Sequence, residues 1–489
     1  MREGRKMQIL FNYNFNPEDI VDLNFEALYE KRRRDSCFAF AFEKNDEIYA
    51  LRDHFGIVPL YFSWRGKEIF FSTTLDPLIT PESKINLQGY KAYIAFETVR
   101  LLPLFEDIGI VPPGSVIKIS KRNKQAKLVY IYRFKRHKFS RFCRMNEMVE
   151  LLDHLLLQAV KRTAKYNKVG LYFSGIGADS LITAVYLAKC GIEVNAYTCS
   201  RWGDKGSEMQ YAPKSARRVG VKNLFVDALN SEKVRKSLDK IIEIYKIPKG
   251  DTASIGVTSL WLHTPIGEEK QIYGAQGADT INCAMGIQNI AYISSFLPGF
   301  IRRKISNNLS DDMIDNYIRI CSKGLLNLQD MPPIIRNIIQ TVEGKIQKLS
   351  IAGMLICHTP GDSEVLSAPV INSNVLYSNL FYDVDVAEFF LGLDLRHRLN
   401  FTFSFKELLD KLILRKLAKE YQEPEVRKLR KGFNIPLHIY GVNKELERFK
   451  PPIDIPNDVE SKFSAFIFSK YCKSRTLNIS FALESKSRI

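Results

Sequence analysis

The stretch Ser-Gly-Ile-Gly-Ala-Asp-Ser at residues 174–180 follows the apolar run Val169 to Phe173 and precedes the apolar stretch Leu181 to Ala188. A short apolar run before a glycine-containing turn is typical of a buried strand, and the stretch after the turn has a helical composition. A turn of small residues between a strand and a helix presents backbone N–H groups to an anion. The sequence therefore predicts an anion-binding loop here.

A second stretch, Gly-Ala-Gln-Gly-Ala-Asp-Thr at residues 274–280, follows the short run Gln271 to Tyr273. Each of the two stretches carries one carboxylate, Asp179 in the first and Asp279 in the second. Magnesium ions bind proteins through one or two carboxylates and take phosphate oxygens as further ligands. Two such turns in one chain predict a nucleoside triphosphate, with its magnesium ion, held between them.

The region around these stretches alternates between strand-like and helix-like segments. This alternation predicts a parallel α/β sheet that binds ligands at the carboxyl ends of its strands. Residues 286–370 lose the alternation and are expected to form a variable helical insertion or cap, whereas Phe405 to Glu420 has a helical pattern and the segment after 450 carries little signal. The predicted strands are Val169–Phe173, Glu193–Cys199, Asn223–Val226 and Gln271–Tyr273, and the predicted helices include Asn146–Lys165, Glu208–Arg218 and Ser231–Tyr245.

Residues 37–135 differ from this region, because short apolar or alternating runs are separated there by turns. Such a pattern predicts a β-rich domain. A chain of 489 residues is also too long for one ordinary core. We therefore expect two domains, residues 1–140 and residues 141–489.

The bulk composition excludes several classes of protein. The chain has 45% hydrophobic and 26% charged residues, with no apolar run of membrane-spanning length. Its eight cysteines are scattered without metal-binding spacing, and its basic start does not read as a signal peptide. These features predict a reduced, cytoplasmic protein that does not act on membranes. The net charge of +17 favours a polyanionic partner, but no nucleic-acid-binding module is visible, so no nucleic-acid partner is expected.

An ordered set of motifs resembles one enzyme family. Residues 174–180 are similar to the pyrophosphate loop of ATP pyrophosphatases, Ser-Gly-Gly-x-Asp-Ser. As a set, spread over residues 37–440, the motifs resemble the asparagine synthetase family, including β-lactam synthetases and lasso-peptide cyclases. The motifs that resemble its N-terminal domain are residues 38–42, 52–62, 71–76 and 111–114, and those that resemble its synthetase domain are residues 274–280, 411–415 and 430–436.

The resemblance implies a fold and a chemistry. The implied fold is α/β: a degenerate β-rich domain of the N-terminal-nucleophile type, followed by a synthetase domain like that of the adenine-nucleotide α-hydrolases. The implied enzyme uses ATP and Mg²⁺ to convert a carboxylate into an acyl-adenylate, releases pyrophosphate, and passes the acyl group to an amine.

Site residues are expected from these motifs. Asp179 and Asp279 are predicted to hold the metal, and Gln276 is predicted to lie at the substrate. Lys431 is the predicted catalytic cation, and the family spacing Lys-x-Gly-Phe offers Arg430 as the alternative. The residues predicted to bind ATP and its pyrophosphate are Ser174, Gly175, Gly177, Asp179, Ser180, Gly274 and Ala275.

Three departures from the family pattern carry expectations of their own. Glutamine-dependent members have a cysteine directly after the initiator Met, whereas Arg2 stands here and the first cysteine is Cys37, so glutamine hydrolysis is not expected. The pyrophosphate loop is one residue longer than the family form, or its Ser is displaced. Ile176 stands where Gly is expected when the loop is aligned backwards from Asp179, and a β-branched residue avoids positive φ, so weakened ATP binding is expected. Gln276 and Thr280 replace two Glu residues, so the amine is expected to be activated elsewhere or the substrate to differ from aspartate.

These departures favour a specialised ligase, such as a lasso-peptide macrolactam synthetase or a similar natural-product cyclase. One alternative is an asparagine synthetase that uses ammonia or a partner's glutaminase, and the other is a non-catalytic scaffold. The expected partners are accordingly a carboxylate substrate, either aspartate or a precursor peptide, and a partner peptidase or an ammonia source.

Overall fold

The structure is a computed structural model. It describes residues 7–11, 24–32, 37–137, 139, 143–282, 286–298, 310–357, 359–398, 411–422, 434–477 and 479. Within these residues, no helix is long and apolar enough to cross a lipid bilayer.

The N-terminal region is built from antiparallel sheets. One sheet has five strands in the order β1-β2-β3-β7-β8, and the other has three in the order β5-β4-β6. The elements are β1 (Met7–Phe11), α1 (Phe25–Lys31), β2 (Ala39–Lys44), β3 (Glu47–Arg52), β4 (Tyr61–Arg65), β5 (Glu68–Ser72), α2 (Leu87–Phe96), β6 (Ile108–Ile110), β7 (Ser115–Ser120) and β8 (Ala126–Ile131).

Arg52 and Asp53 fix the turn that follows β3. The buried Arg52 side chain donates hydrogen bonds to the carbonyl oxygens of Val58 and Val111, each at 2.9 Å. Asp53 accepts backbone hydrogen bonds from Ile57 and Val58, also at 2.9 Å. Because buried ionic groups need such partners, both residues stabilise this region structurally.

The second region contains a five-stranded parallel sheet in the order β11-β10-β9-β12-β13. Strands β12 and β13 are buried along their whole length, as expected for a parallel sheet covered on both faces. The elements of this part are α3 (Met145–Thr163), β9 (Lys168–Tyr172), α4 (Ala178–Lys189), β10 (Glu193–Ser200), α5 (Ser207–Arg218), β11 (Asn223–Ala228), α6 (Ser231–Tyr245), α7 (Ala253–His263), β12 (Gln271–Gly274), α8 (Ala278–Ile281) and β13 (Leu376–Asn379).

The sheet order reverses beside β9. From β9 the chain passes to β10 and β11 on one side, and later returns to β12 and β13 on the other. In open parallel sheets, ligands bind in the crevice at the carboxyl ends of the strands where the order reverses. The switch point lies between β9 and β12, the two strands that carry the glycine-containing turns.

The segments after β12 are mainly helical. A π-helical turn, Gly353–Cys357, stands between two of these helices. The helices are α9 (Gly286–Ser294), α10 (Met313–Cys321), α11 (Pro333–Thr341), α12 (Lys345–Ala352), α13 (Thr359–Asn372), α14 (Val384–Gly392), α15 (Leu395–Arg398), α16 (Leu412–Ala418), α17 (Asn443–Arg448) and α18 (Val459–Ser474).

The two regions contact each other through buried polar groups. Arg100 of the N-terminal region pairs at 3.1 Å with Glu364 of α13, and Lys249 lies 3.5 Å from the same carboxylate. Tyr93 of α2 donates a 2.8 Å hydrogen bond to the carbonyl oxygen of Ser464 in α18. These contacts join the β-rich region to the helices that cover the parallel sheet.

The predicted mixed α/β class is confirmed, with an antiparallel β-rich N-terminal region and a parallel sheet behind it. The domain boundary at residue 140 stays a prediction. The elements that the sequence missed include the fifth strand β13 and the helix α18. Cys37, the first cysteine of the chain, precedes β2 and donates to the carbonyl oxygen of Tyr377 at 3.4 Å.

Candidate functional site

The first loop, residues 174–177, connects β9 to α4 and contains its left-handed residue at Gly175 (φ +70°). A Cβ at this position would lie 2.6 Å from Cβ of Ala212 in α5. Ile176 is not among the residues with positive φ, so the expectation that its β-branched side chain strains this loop is wrong. The loop has one residue more than the family form, and its left-handed conformation falls at Gly175. Glycine adopts this conformation without strain.

Hydroxyl groups organise the amide groups of this loop. Ser174 Oγ accepts hydrogen bonds from the backbone nitrogens of Gly177 (2.9 Å) and Ile176 (3.3 Å). Ser180 Oγ lies 3.2 Å from Ser174 Oγ and accepts from the Ser174 nitrogen at 3.3 Å. The two hydroxyls and the amides of this loop therefore form one hydrogen-bonded network directly before α4, at the positive end of the helix dipole.

The two acidic side chains of the paired turns meet at one lysine. Asp179 lies in the first turn of α4 and Asp279 in the first turn of α8. The ammonium group of Lys411 contacts Asp179 Oδ2 and lies 2.6 Å from Asp279 Oδ1. Lys411 is the residue before α16 and has left-handed backbone geometry (φ +56°). Three elements far apart in sequence thus converge on a single position.

The charges in this position support one another. Burial alone would lower the pKa of the Lys411 ammonium, but the attraction of Asp179 and Asp279 outweighs burial and raises that pKa above its usual range. Only 11% of the Lys411 side chain is exposed, against 47% for Asp279. The lysine therefore stays protonated between the two carboxylates.

The two carboxylates also fit a magnesium ion. Both aim an oxygen at the same cationic group, so they converge on one cation position. The described part of the chain contains no group of three or more His, Cys, Asp or Glu side chains that could hold a metal. A carboxylate pair of this kind suits Mg²⁺ that completes its coordination with phosphate oxygens and water.

The second loop, residues 275–277, is shaped by contacts with β13 and the residues after it. Gly277 has φ +91°, and a Cβ there would lie 2.5 Å from the Tyr382 ring. Tyr377 donates to Gln276 Oε1 at 3.1 Å, and Asn379 donates to the Gln276 carbonyl oxygen at 2.9 Å. These bonds orient the Gln276 amide at the wall of the site.

A cavity of about 580 Å³ extends from the paired loops along the carboxyl ends of the strands. Its size falls within the range of small-molecule sites. Its wall also includes the apolar side chains of Phe173, Leu260 and Leu366 and the carboxylates of Asp251 and Asp362. The predicted site residues that line it are Ser174, Gly177, Asp179, Ser180, Ala275, Gln276 and Asp279.

Some site predictions have a different outcome. The predicted catalytic cations, Lys431 and Arg430, lie outside the described residues. Gly274 ends β12 against the hydroxyl of Tyr377 and is not among the residues that line the cavity. The sequence assigned no role to Lys411, although it opens a motif that resembles the family, Lys-Leu-Ile-Leu-Arg at residues 411–415.

Comparison with known proteins gives matches in both regions of the chain. A glutamine amidotransferase domain matches residues 30–131. The chain is 24% identical over 286 residues to a putative glutamine-hydrolysing asparagine synthetase of Methanocaldococcus jannaschii, which covers 58% of this chain and 50% of that protein. It is 23% identical over 255 residues to a glutamine-hydrolysing asparagine synthetase of Bacillus subtilis, and this alignment covers 50% of this chain and 39% of that protein. The chain therefore spans half or less of the length of these curated relatives.

Proposed function

Because this chain belongs to the asparagine synthetase family, an amidotransferase and ligase family, we propose that it is an ATP- and Mg²⁺-dependent ligase that forms amide bonds. The convergence of Asp179, Asp279 and Lys411 at the switch point of the parallel sheet carries this proposal. It supplies carboxylates for a metal and a cation for phosphate at the mouth of a cavity large enough for a nucleotide and a second substrate.

The chemistry has two steps. A carboxylate oxygen of the substrate attacks the α-phosphorus of ATP, which forms an acyl-adenylate and releases pyrophosphate. An amine nitrogen then attacks the acyl carbon, the amine loses a proton, and AMP leaves with the oxygen that made the attack. Both steps develop negative charge on phosphate oxygens, which fixed cations and amide donors stabilise.

The chain's own groups divide this work. The Ser174 and Ser180 hydroxyls, at the positive end of the α4 dipole, bind the departing pyrophosphate. Asp179 and Asp279 would hold Mg²⁺, which supplies charge neutralisation between the phosphates. Lys411 supplies a further positive charge beside them.

For the acyl substrate we propose a carboxylate of a peptide, as in a macrolactam synthetase. Asparagine synthetases carry carboxylates at the positions of Gln276 and Thr280. Here Gln276 has a neutral amide, and Thr280 has a hydroxyl and is buried. The net charge of +17 favours association with an acidic peptide. A peptidase that trims the precursor peptide is the partner that this function implies.

The second candidate is an asparagine synthetase acting on free aspartate, with ammonia or a partner's glutaminase as the nitrogen source. The names of both relatives favour it. The two candidates differ in the carboxylate that starts the reaction.

Exchange of label between pyrophosphate and ATP tests the first step. The full chain with Mg²⁺ is offered aspartate, glutamate and peptides with an acidic side chain in turn, and Asp179→Ala is the control. We expect exchange with one class of carboxylate and at least a hundredfold loss in the control. Absence of exchange with every carboxylate, together with absence of ATP binding, would leave the scaffold alternative.

A further inference from the structure

The ammonium of Lys411 lies between the two carboxylates that are proposed to hold a divalent cation. This ammonium contacts Asp179 Oδ2 and lies 2.6 Å from Asp279 Oδ1. The Lys411 side chain is 11% exposed, so water contributes little to holding its charge. A single positive charge thus bridges the two loops.

This arrangement makes a divalent ion and the lysine competitors. An isolated Mg²⁺ or Mn²⁺ that enters between Asp179 and Asp279 would have to displace the ammonium and leave it beside a dication. A triphosphate changes this balance because its oxygens accept the ammonium. The Lys side chain suits such a move, since it carries three donors on a flexible four-carbon stem.

The position of the lysine supports this exchange of partners. Lys411 stands at the amino-terminal end of α16, which packs against α3 and α4. Since α4 begins at the first loop, phosphate bound there would lie at the same end of α4 as Asp179, the partner of the Lys411 ammonium.

We propose that Lys411 is a built-in counter-cation of the two acidic turns, and that a divalent ion binds here only together with a triphosphate, which draws the lysine onto its phosphate oxygens. This rests on the proposed function, because it assigns triphosphate as the ligand of the loop. It predicts an order of events: metal and nucleotide enter as one complex.

The test uses Mn²⁺ as the probe and the full chain as the protein. Free Mn²⁺ is measured by electron paramagnetic resonance during a titration without nucleotide. We expect Lys411→Met to bind Mn²⁺ at least tenfold more tightly than the wild type, because two carboxylates lose their cation. The double variant Lys411→Met/Asp279→Asn should lose this gain.

A second titration, by calorimetry, follows the complex of Mg²⁺ with a non-hydrolysable ATP analogue. Here Lys411→Met should bind at least tenfold more weakly, because the phosphates lose an ammonium. Lys411→Arg keeps the charge and should resemble the wild type with Mn²⁺ alone. Lys416→Met, on the same helix but at an exposed side chain bonded to Asn146, should match the wild type in both titrations.

The opposite signs of the two changes distinguish this role from a structural one, which would weaken both affinities. Equal Mn²⁺ affinity of wild type and Lys411→Met, with the circular dichroism of the folded protein retained, would overturn the proposal. If Lys411→Met does not fold, Lys411→Gln takes its place, since it keeps a hydrogen-bond donor. The Mn²⁺ titration contains no nucleotide, so its outcome is independent of whether carboxylate-dependent exchange is found.

Discussion

Gly175 and Lys411 both adopt left-handed backbone conformations at the ends of the elements that form the site. Such conformations are easy for glycine and costly for other residues. At Gly175 the space for a side chain is also filled by Ala212. The sequence predicted this loop correctly, but it predicted the positive φ at Ile176 and not at Gly175. The reason is that the family loop is one residue shorter, so a residue-by-residue alignment puts Ile176 opposite its glycine.

Replacing Gly175 by alanine tests the geometry of the loop. The variant combines a left-handed alanine with overlap against Ala212, so we expect a loss of about 2–5 kcal/mol in the free energy of unfolding. Nucleotide binding should weaken at least tenfold. Urea unfolding and calorimetry with ADP measure the two effects.

Gly191→Ala is the matched control, because Gly191 has φ +73° but nothing within 4 Å of an added Cβ. It should lose only about 1–2 kcal/mol of stability and keep its nucleotide affinity. Equal nucleotide affinities in Gly175→Ala and Gly191→Ala would contradict the role given to the loop.

Among the elements, the helix α18 is the clearest case of one that the sequence did not predict. Its residues gave little amphipathic signal, because the helix is buried on several sides, with Phe463, Ile467, Phe468 and Tyr471 fully covered. A helix without a clean polar face is hard to recognise from periodicity. Its start is nevertheless marked by Asp458, whose side chain accepts from the nitrogen of Ser461 at 2.9 Å.

Asp458 also gives this helix a pH dependence. Burial works against its charge, but hydrogen bonds from Lys323 and Ser461 outweigh burial and lower the pKa of Asp458 from 3.8 to about 2. A carboxylate with a depressed pKa stabilises the folded state above pH 3.8, and this contribution disappears as the pH falls toward 2. Asn keeps the helix cap and removes the charge.

We therefore expect Asp458→Asn to be less stable than the wild type at pH 7, by no more than about 1 kcal/mol, because the ion pair is partly exposed. Thermal unfolding between pH 7 and pH 2 measures the difference, which should vanish at the acid end. Asp239→Asn removes the exposed partner of Lys470 in the same helix and should change little. A difference that is constant with pH would contradict the assignment.

At the scale of the whole molecule, buried charges connect the β-rich region to the region of the parallel sheet. Arg100 and Lys249 both face Glu364, and the side chains of all three are at most 1% exposed. Removing one member of a buried ionic group leaves uncompensated charge, which costs about 3–5 kcal/mol. The contacts predict that the two regions unfold together.

Glu364→Gln should accordingly destabilise the whole chain by about 3–5 kcal/mol. Urea unfolding followed by far-ultraviolet circular dichroism and by tryptophan fluorescence measures this, and both signals should shift together. Glu193→Gln, which removes an exposed partner of Lys222, is the control. A shift in one signal only would show that the regions unfold separately.

The overall architecture was predictable because its periodic parts are long. The strand–helix alternation from Val169 to Tyr273 predicted the parallel sheet. The predicted helix Ser231–Tyr245 has the same bounds in the structure. Contacts between distant segments were not predictable. Nothing local shows that Lys411 meets Asp179, 232 residues away, or that β13 completes the sheet.

The transfer of oxygen from the substrate to AMP tests the central claim most directly. Aspartate and an acidic peptide, each with ¹⁸O in the side-chain carboxylate, are incubated with the full chain, ATP, Mg²⁺ and an amine source, and the products are analysed by mass spectrometry. Carboxylate adenylation predicts one ¹⁸O atom in each AMP formed. Label in inorganic phosphate, with ADP as the nucleotide product, would show attack at the γ-phosphorus and contradict the account.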